Sequence, residues 1–452
     1  MTTNQNNLLD RESVGRVFMR YLIPSLVGMM IMALNIVVDG IMVGNRLGEV
    51  ALAGVGIASP VYTILVAMSL WIGIGGATLY SQARGAGDTK HAQYIFTHSI
   101  ILIGLFTLVI SLLAFILKDP LTYWLGANDE TFPYANDYLR IMLLFGFILT
   151  VENALSTFIR NDQNPNLAMM SLVVTAVANI LINYYILYVL ELGVAEVAFG
   201  TILSAALGVL VLATHFFTKK NTLRFLKIRF SRTIFKQTMG IGFPSFLSEL
   251  GISVFTVAYN VTLARLLGTA GVAAFSILNY IHSVMLMIFL GMGAAVQPLV
   301  SYYFGAKSQD RIRQTMKLAL IVATGSGILA FLVGQIATRQ IVSIFGDFPQ
   351  EVVDIALIGI RLFFIAYIFM GVNFVMMSYF QSIAQIRMAT WITASREIIF
   401  MMIFILVLPL IFGVHSVWLS VPLAELVVMV TIIVYIRKKT TLFQSSKIKN
   451  ER

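Results

Sequence analysis

Long apolar stretches separated by short polar connections set the architecture of this chain. Windows such as Ile100 to Leu117, Ile141 to Ile159, Leu318 to Ile336 and Ile398 to Val414 come close to or reach the ~18 residues that suffice for a membrane-spanning helix. The pattern predicts helices over 17–44, 53–83, 94–117, 134–159, 167–190 and 195–218, then over 238–266, 271–304, 314–337, 354–382, 388–412 and 414–436. That makes about twelve spans, so the expected fold class is an all-α polytopic membrane protein. The first span begins near Phe18, behind a polar leader from Met1 to Arg16 without a small-residue cleavage site, and reads as a retained helix.

The pattern also repeats at a fixed distance of 220 residues. Pro24-Ser25 returns as Pro244-Ser245, Leu47-Gly48 as Leu267-Gly268, Ile57 as Ile277, Gly73 as Gly293, Ser81 as Ser301, and Gly85-Ala86 as Gly305-Ala306. With six spans in each half, the second half starts on the same side as the first. The halves are then parallel repeats, two six-helix lobes related by a pseudo-two-fold axis along the membrane normal. The expected domains are residues 1–218, a basic cytoplasmic linker over 219–236, and 237–452 with a basic tail. Two bundles placed face to face leave a cleft suited to moving a solute across the bilayer, so transport is the function class this layout favours.

Composition narrows the class further. The chain is 58% hydrophobic and only 12% charged, with a mean hydropathy of +0.87. The formal charge of +10 would suggest a nucleic-acid partner in a soluble protein, but its distribution argues otherwise. Lys219, Lys220, Arg224, Lys227, Arg229, Arg232 and Lys236 form one cluster without an acidic residue; Arg437, Lys438, Lys439, Lys447, Lys449 and Arg452 form another. Such clusters mark the cytoplasmic side, which puts both termini inside a plasma (inner) membrane. Acidic residues fall in the connections expected outside: Asp119, Asp129 and Glu130; Glu191 and Glu196; Asp347, Glu351 and Asp354. The absence of cysteine excludes disulfides and thiolate metal sites. His91, His98, His215, His282 and His415 show no ligand spacing. No nucleotide loop and no nucleophile-base motif is present, which disfavours a nucleotide-driven pump and an integral-membrane enzyme, and no cofactor is expected.

Asp39 carries the chemistry that stands out. It interrupts the window from Tyr21 to Gly44, on the order of 10 Å from the window's midpoint at 1.5 Å per residue. Removing a carboxyl from water disfavours its charged form, so a group at that depth can exchange a proton, or hold sodium when ionised. The competing reading is a solvated aspartate at the outer interface.

Several strings together resemble the multidrug and toxic compound extrusion (MATE) family: the Pro-Ser entry to the first helix, Asp39-Gly40, Gly85-Ala86-Gly87-Asp88, Tyr138-Leu139-Arg140, Asn164-Pro165, Asn179-Ile180 and Phe304-Gly305-Ala306. The resemblance runs from about residue 15 to about residue 440. It implies a V-shaped pair of six-helix lobes exporting organic, often cationic, amphipathic compounds in exchange for protons or sodium ions. It also implies a polar cluster around Asp39 made of Tyr138, Asn179, Asn183 and Thr201, with Asp39 a metal ligand only if sodium is the coupling ion. Where some members have a second carboxylate, this chain has Asn183, which favours protons. Interhelical hydrogen bonding is the plainer role for the two asparagines.

Pro24 is a hinge candidate, or a static kink, with Pro244 as its repeat partner. Glu249 is a candidate second coupling carboxylate, although the repeat position of Asp39 is Tyr259. Arg396, Glu397, Glu425, Arg140, Arg361 and Glu152 read as structural charges, with Arg396 paired to Glu397 or Glu425 and the other two arginines snorkelling. Met32, Asn35, Asn153, Met285 and Met292 are the substrate-contact candidates, since thioethers and amides adapt to varied ligands. The partners expected are small organic cations, amphipathic drugs and membrane lipid, with no nucleic acid, for a monomeric chain. The alternatives within transport are a lipid-linked precursor flippase or an exporter dedicated to one metabolite.

Overall fold

The computed structural model describes residues 8–218, 221–227 and 230–450, with side chains from 9 to 438. Of the basic clusters, Lys219, Lys220, Arg229 and Arg452 lie outside the described residues, as do the side chains of Lys439, Lys447 and Lys449. Every regular element among the described residues is helical. In chain order they are α1 (Leu8–Arg11), α2 (Val14–Gly85), α3 (Thr89–Ile116), α4 (Lys118–Trp124), α5 (Phe132–Phe145), α6 (Phe147–Asn161), α7 (Pro165–Tyr184) and α8 (Val194–Ala213). Then come α9 (Arg232–Gly305), α10 (Gln309–Ile336), α11 (Thr338–Ile344), α12 (Gln350–Phe363), α13 (Tyr367–Ser382), α14 (Ile386–Ala394), α15 (Phe400–Phe412) and α16 (Ser420–Asn450).

Nine helical stretches among the described residues are long and apolar enough to cross a membrane, and the bent pair α5–α6, turned by 53°, makes a tenth. Two of these, α2 with 72 residues and α9 with 74, are each two limbs joined at a single glycine. Counting the limbs separately gives the twelve spans that the hydrophobic pattern predicts. The gaps expected over 45–52 and 267–270 are not there. The chain stays helical up to Gly48 and Gly268, where φ is 86° and 59°, a backbone region open to glycine because it has no Cβ. One residue thus joins two limbs where a longer break in the helix was expected.

The repeat is visible element by element. After α2 and α9 come α3 and α10 with 28 residues each, α4 and α11 with 7, and α5 and α12 with 14. The halves then diverge: α7 runs 20 residues before a π turn over Tyr185–Val189, whereas α14 stops after 9 at a π turn over Ser395–Ile399 and resumes as α15. The second half therefore carries its irregular turn in mid-span.

By contact the chain forms two compact units whose boundary is not that of the repeat. The first comprises Met1–Leu250, Leu290–Met316 and Gln381–Ile386; the second comprises Gly251–Phe289, Lys317–Phe380 and Arg387–Arg452. In the first unit α2 packs on α3, α5, α6 and α7, and α7 on α8. Its polar end is densely hydrogen-bonded. Gln297 donates to Thr78 at 2.9 Å, Asn161 donates to Gln297 at 3.0 Å, and Ser81 donates to Asn161 at 2.7 Å. Arg311 donates to the carbonyl of Leu9 at 2.6 Å, and Tyr302 to Asp10 at 2.8 Å, which fastens α1 to the α9–α10 corner.

The described part of the linker is fastened too. Asp162 accepts from the Thr222 N–H at 2.9 Å, from Tyr80 at 2.7 Å and from the Thr222 hydroxyl, and contacts His215 at 2.8 Å. Leu223 is fully buried beside Phe96 and Phe158. Helix α9 starts at Arg232, earlier than the expected 238, because Ser231 accepts the Ile234 N–H at 3.3 Å and caps it. The second unit has an aromatic core: Tyr259 stacks on Phe275 at 5.1 Å, and Phe255, His282 and Phe363 close around them. Ile336, Leu410 and Phe412 are 73–85% exposed, side chains that an aqueous surface would not favour and a bilayer accepts.

One close approach of backbones in the first unit involves two glycines that are repeat mates. A Cβ on Gly85 would overlap the Tyr302 carbonyl, and one on Gly305 would overlap the Gln82 carbonyl. We expect Gly85→Val or Gly305→Val to lower stability by about 1–3 kcal/mol, read as a lower thermal midpoint of the purified protein. Gly104→Ala, at a helical position with open space around it, is expected to leave the midpoint unchanged.

Candidate functional site

Near the end of the first limb of α2 stands Arg46, whose guanidinium donates to the Leu187 carbonyl at 3.0 Å and pairs with Glu191 in an acidic connection. Asp39 lies seven residues before that anchor, about 10 Å along the helix axis. Its side chain is half-buried. Asn183 on α7 donates its amide N–H to Asp39 Oδ1 at 2.5 Å. Asn183 is fully buried, and its Oδ1 has no hydrogen-bond partner. That oxygen sits where a Cβ on Gly200 of α8 would be, so the glycine makes room for the amide.

One turn earlier on the same face of α7, Asn179 donates to Thr201 at 3.3 Å, and Thr201 donates to the Val197 carbonyl at 3.2 Å. The structure thus brings the predicted residues together as two pairs, Asp39–Asn183 and Asn179–Thr201. Tyr138 is buried in the apolar cluster of Leu65, Ala198 and Ile202, and no hydrogen bond joins it to Asp39. Asn35 lies one turn before Asp39, which puts it on the same face, and its buried Oδ1 lacks a partner. Met32, seven residues from Asp39, shares that face and is half-buried.

The other candidates are more scattered. Asn153 is half-buried and donates to its own helix at Leu149, 3.1 Å away. Met285 is half-buried, and Met292 is interior at 2% exposure. Pro24 is buried, and Gly48 alone departs from helical geometry inside α2, so the limb passes through the proline without a break. Glu249 is half-buried on α9. The repeat position of Asp39 is Tyr259, which is fully buried and donates to the Val417 carbonyl at 3.1 Å.

Two further features were not read as sites. Glu152 on α6 is 4% exposed, accepts from Thr175 and from Ser171 at 3.3 Å, and has no basic partner among the described residues. Its signal in the sequence is a carboxylate at the centre of an apolar window, with two hydroxyls spaced four apart on the next helix. Arg396 pairs with both carboxylates named for it, Glu397 and, at 3.8 Å, Glu425. Arg140 and Arg361 are exposed, as snorkelling requires. No group of histidine and carboxylate side chains among the described residues could hold a metal ion.

Compared with known proteins, the chain matches the MatE family twice, over residues 24–185 and 244–407. It belongs to the MatE family. The two matches begin 220 residues apart, the spacing of the sequence repeat. A curated relative, the multidrug export protein MepA of Staphylococcus haemolyticus, is 24% identical over the full length of both chains. Among solved structures, an outward-facing multidrug resistance MATE family transporter aligns with a TM-score of 0.91 at 23% identity, covering 98% of this chain and 100% of that one. A MOP superfamily transporter from Pyrococcus furiosus, described by the reverse polarity of its binding pocket, aligns with a TM-score of 0.89 at 24% identity, covering 96% of this chain and 98% of that one. The chain is a multi-pass membrane transporter with the all-α fold of this family, not an enzyme.

Glu152 offers a local test. Thr175→Val removes one of its two hydroxyl donors, and we expect a loss of about 1–3 kcal/mol in the thermal unfolding of the purified protein. Thr175→Ser, which keeps the donor, should lose less.

Proposed function

We propose that this chain is a secondary-active multidrug exporter that carries small organic compounds, often cationic and amphipathic, out of the cell against protons, with Asp39 as the coupling carboxylate. The observation that carries the reading is the Asp39–Asn183 pair inside a transmembrane limb of a MatE-family chain. A carboxylate in hydrocarbon is costly unless it faces protein or a wet cavity, and such groups mark ion pathways. The matched MepA relative, named a multidrug export protein, supports the substrate class. Asn35 and Met32, on the face that bears Asp39, are the substrate contacts this arrangement favours.

Protons are the preferred coupling ion for a reason of ligand chemistry. Asn183 presents an N–H donor to the carboxylate, while its oxygen turns toward Gly200. Asn179 and Thr201 are engaged with each other. A hard cation at Asp39 would favour a second charged oxygen ligand, which these amide and hydroxyl contacts do not supply; a proton needs none. Pro24 is the hinge in this scheme and Glu249 the candidate second coupling carboxylate; the basic clusters support a reading with both termini in the cytoplasm and a monomeric transporter in the inner membrane.

The test is transport by the full chain reconstituted in liposomes, with ethidium as the cation. A pH gradient is expected to drive flux in the wild type, and Asp39→Asn is expected to abolish gradient-driven flux. Undiminished flux in that variant removes Asp39 from the mechanism; flux driven only by a sodium gradient overturns the choice of ion. Gly200→Val, which displaces the Asn183 amide, is expected to slow proton-driven flux by about tenfold or more, the equivalent of one charge-assisted hydrogen bond.

A further inference from the structure

The second unit holds an ionic cluster that the proposed mechanism does not use. Arg396, 3% exposed, sits in the mid-span π turn, with its guanidinium 3.6 Å from the centre of the Phe374 ring. Its Nε donates to Glu397 Oε1 at 3.1 Å, and a second nitrogen donates to the same oxygen. The third nitrogen has no hydrogen-bond partner and lies 3.8 Å from Glu425 Oε1, too far for a direct bond. The other oxygen of Glu425 accepts from Asn373 at 2.6 Å. Asn373 is fully buried, and its own Oδ1 is also unpartnered.

Arg396, Glu397 and Glu425 border a pocket with room for a water-sized particle, lined also by His282, Phe255 and Met370. The charged and titratable side chains facing it are Arg396 and Glu397 on the π turn, Glu425 on α16 and His282 on α9. Behind His282 stands Tyr367 of α13, whose hydroxyl is 3.3 Å from Nδ1. One guanidinium faces two carboxylates, so full ionisation leaves one negative charge in excess in a medium that penalises it. A buried donor without an acceptor and a buried acceptor without a donor remain unsatisfied beside that excess.

We propose that this pocket is a proton-binding site of the second unit, in which Glu397 and Glu425 share one exchangeable proton around Arg396, with a water bridging the free guanidinium nitrogen to Glu425. The ligand is a proton and not a metal ion, because a guanidinium N–H faces the gap and would repel a cation there. Uptake of the proton removes the excess charge. The π turn, which breaks the regular helix between α14 and α15, is the segment placed to respond. As a coupling site it rests on the antiport reading; as a proton-binding site it does not.

The experiment measures equilibrium proton uptake by the purified full-length chain as pH is lowered from about 9 to about 5, without gradient or substrate. It compares wild type, Glu397→Gln, Glu425→Gln and the double variant, each checked for folding by circular dichroism. Each single variant leaves a neutral arginine–carboxylate pair, so each is expected to take up one proton fewer than the wild type. The double variant is expected to lose no more than a single one. Wild-type uptake in a folded single variant, or loss of two protons in the double variant, overturns the proposal. If Glu425→Gln does not fold, Glu397→Gln decides alone, since it keeps the Arg396–Glu425 pair. A failed drug-flux assay leaves this result standing, so failure of the antiport reading and failure of this site are told apart.

Discussion

A hydrocarbon medium offers no hydrogen bonds, so every polar group on a spanning helix must find its partner inside the protein. That constraint governs this structure. The backbone is satisfied by keeping the chain helical, even up to the two junctions at Gly48 and Gly268. The few polar side chains in mid-span are satisfied by one another: Asp39 by Asn183, Asn179 by Thr201, Glu152 by Thr175 and Ser171, Arg396 by Glu397 and Glu425. Function has to be sought where this accounting is incomplete. Among the groups left over, the Asn183 oxygen in one unit and an Arg396 nitrogen and the Asn373 oxygen in the other belong to side chains that contact the acidic groups, and Asn35 lies one turn from Asp39.

Small residues make these polar contacts geometrically possible. Gly200 leaves the space that the Asn183 amide oxygen fills, and Gly208 does the same for the Glu152 carboxylate and the Thr175 hydroxyl. In a membrane, where neighbouring helices gain little from the hydrophobic effect, close approach of this kind supplies packing and hydrogen bonds together. The same device recurs away from the sites, where the repeat mates Gly85 and Gly305 each receive a backbone carbonyl of the other's helical element.

The repeat shows how two halves with one plan came to hold different chemistry. The first half keeps an aspartate at position 39; the second has Tyr259 there, used to hold the short helical turn at Val417. In place of that carboxylate, the second half concentrates its charge around Arg396, on a π turn that has moved from the end of a span to its middle. Both units therefore contain an acidic group with an amide partner, Asn183 in one and Asn373 in the other, reached by unrelated routes.

The sequence by itself determined the number of spans, their limits to within several residues, the repeat at 220 and the candidacy of Asp39, because the cost of polarity in a bilayer writes span limits and buried charges directly into the order of residues. The pairing of Arg396 was also legible, since an arginine so deep in an apolar window must have a carboxylate nearby. The partners themselves were settled only by tertiary structure. Spacing put Asn179 and Asn183 on one face, but helix rotation decided that Asn183 meets Asp39 while Asn179 meets Thr201, and that Tyr138 faces an apolar cluster. The early start of α9, the docked linker and the Glu152 contacts likewise depend on which surfaces come together. Helical periodicity fixes directions around one axis; only packing fixes which axes are neighbours.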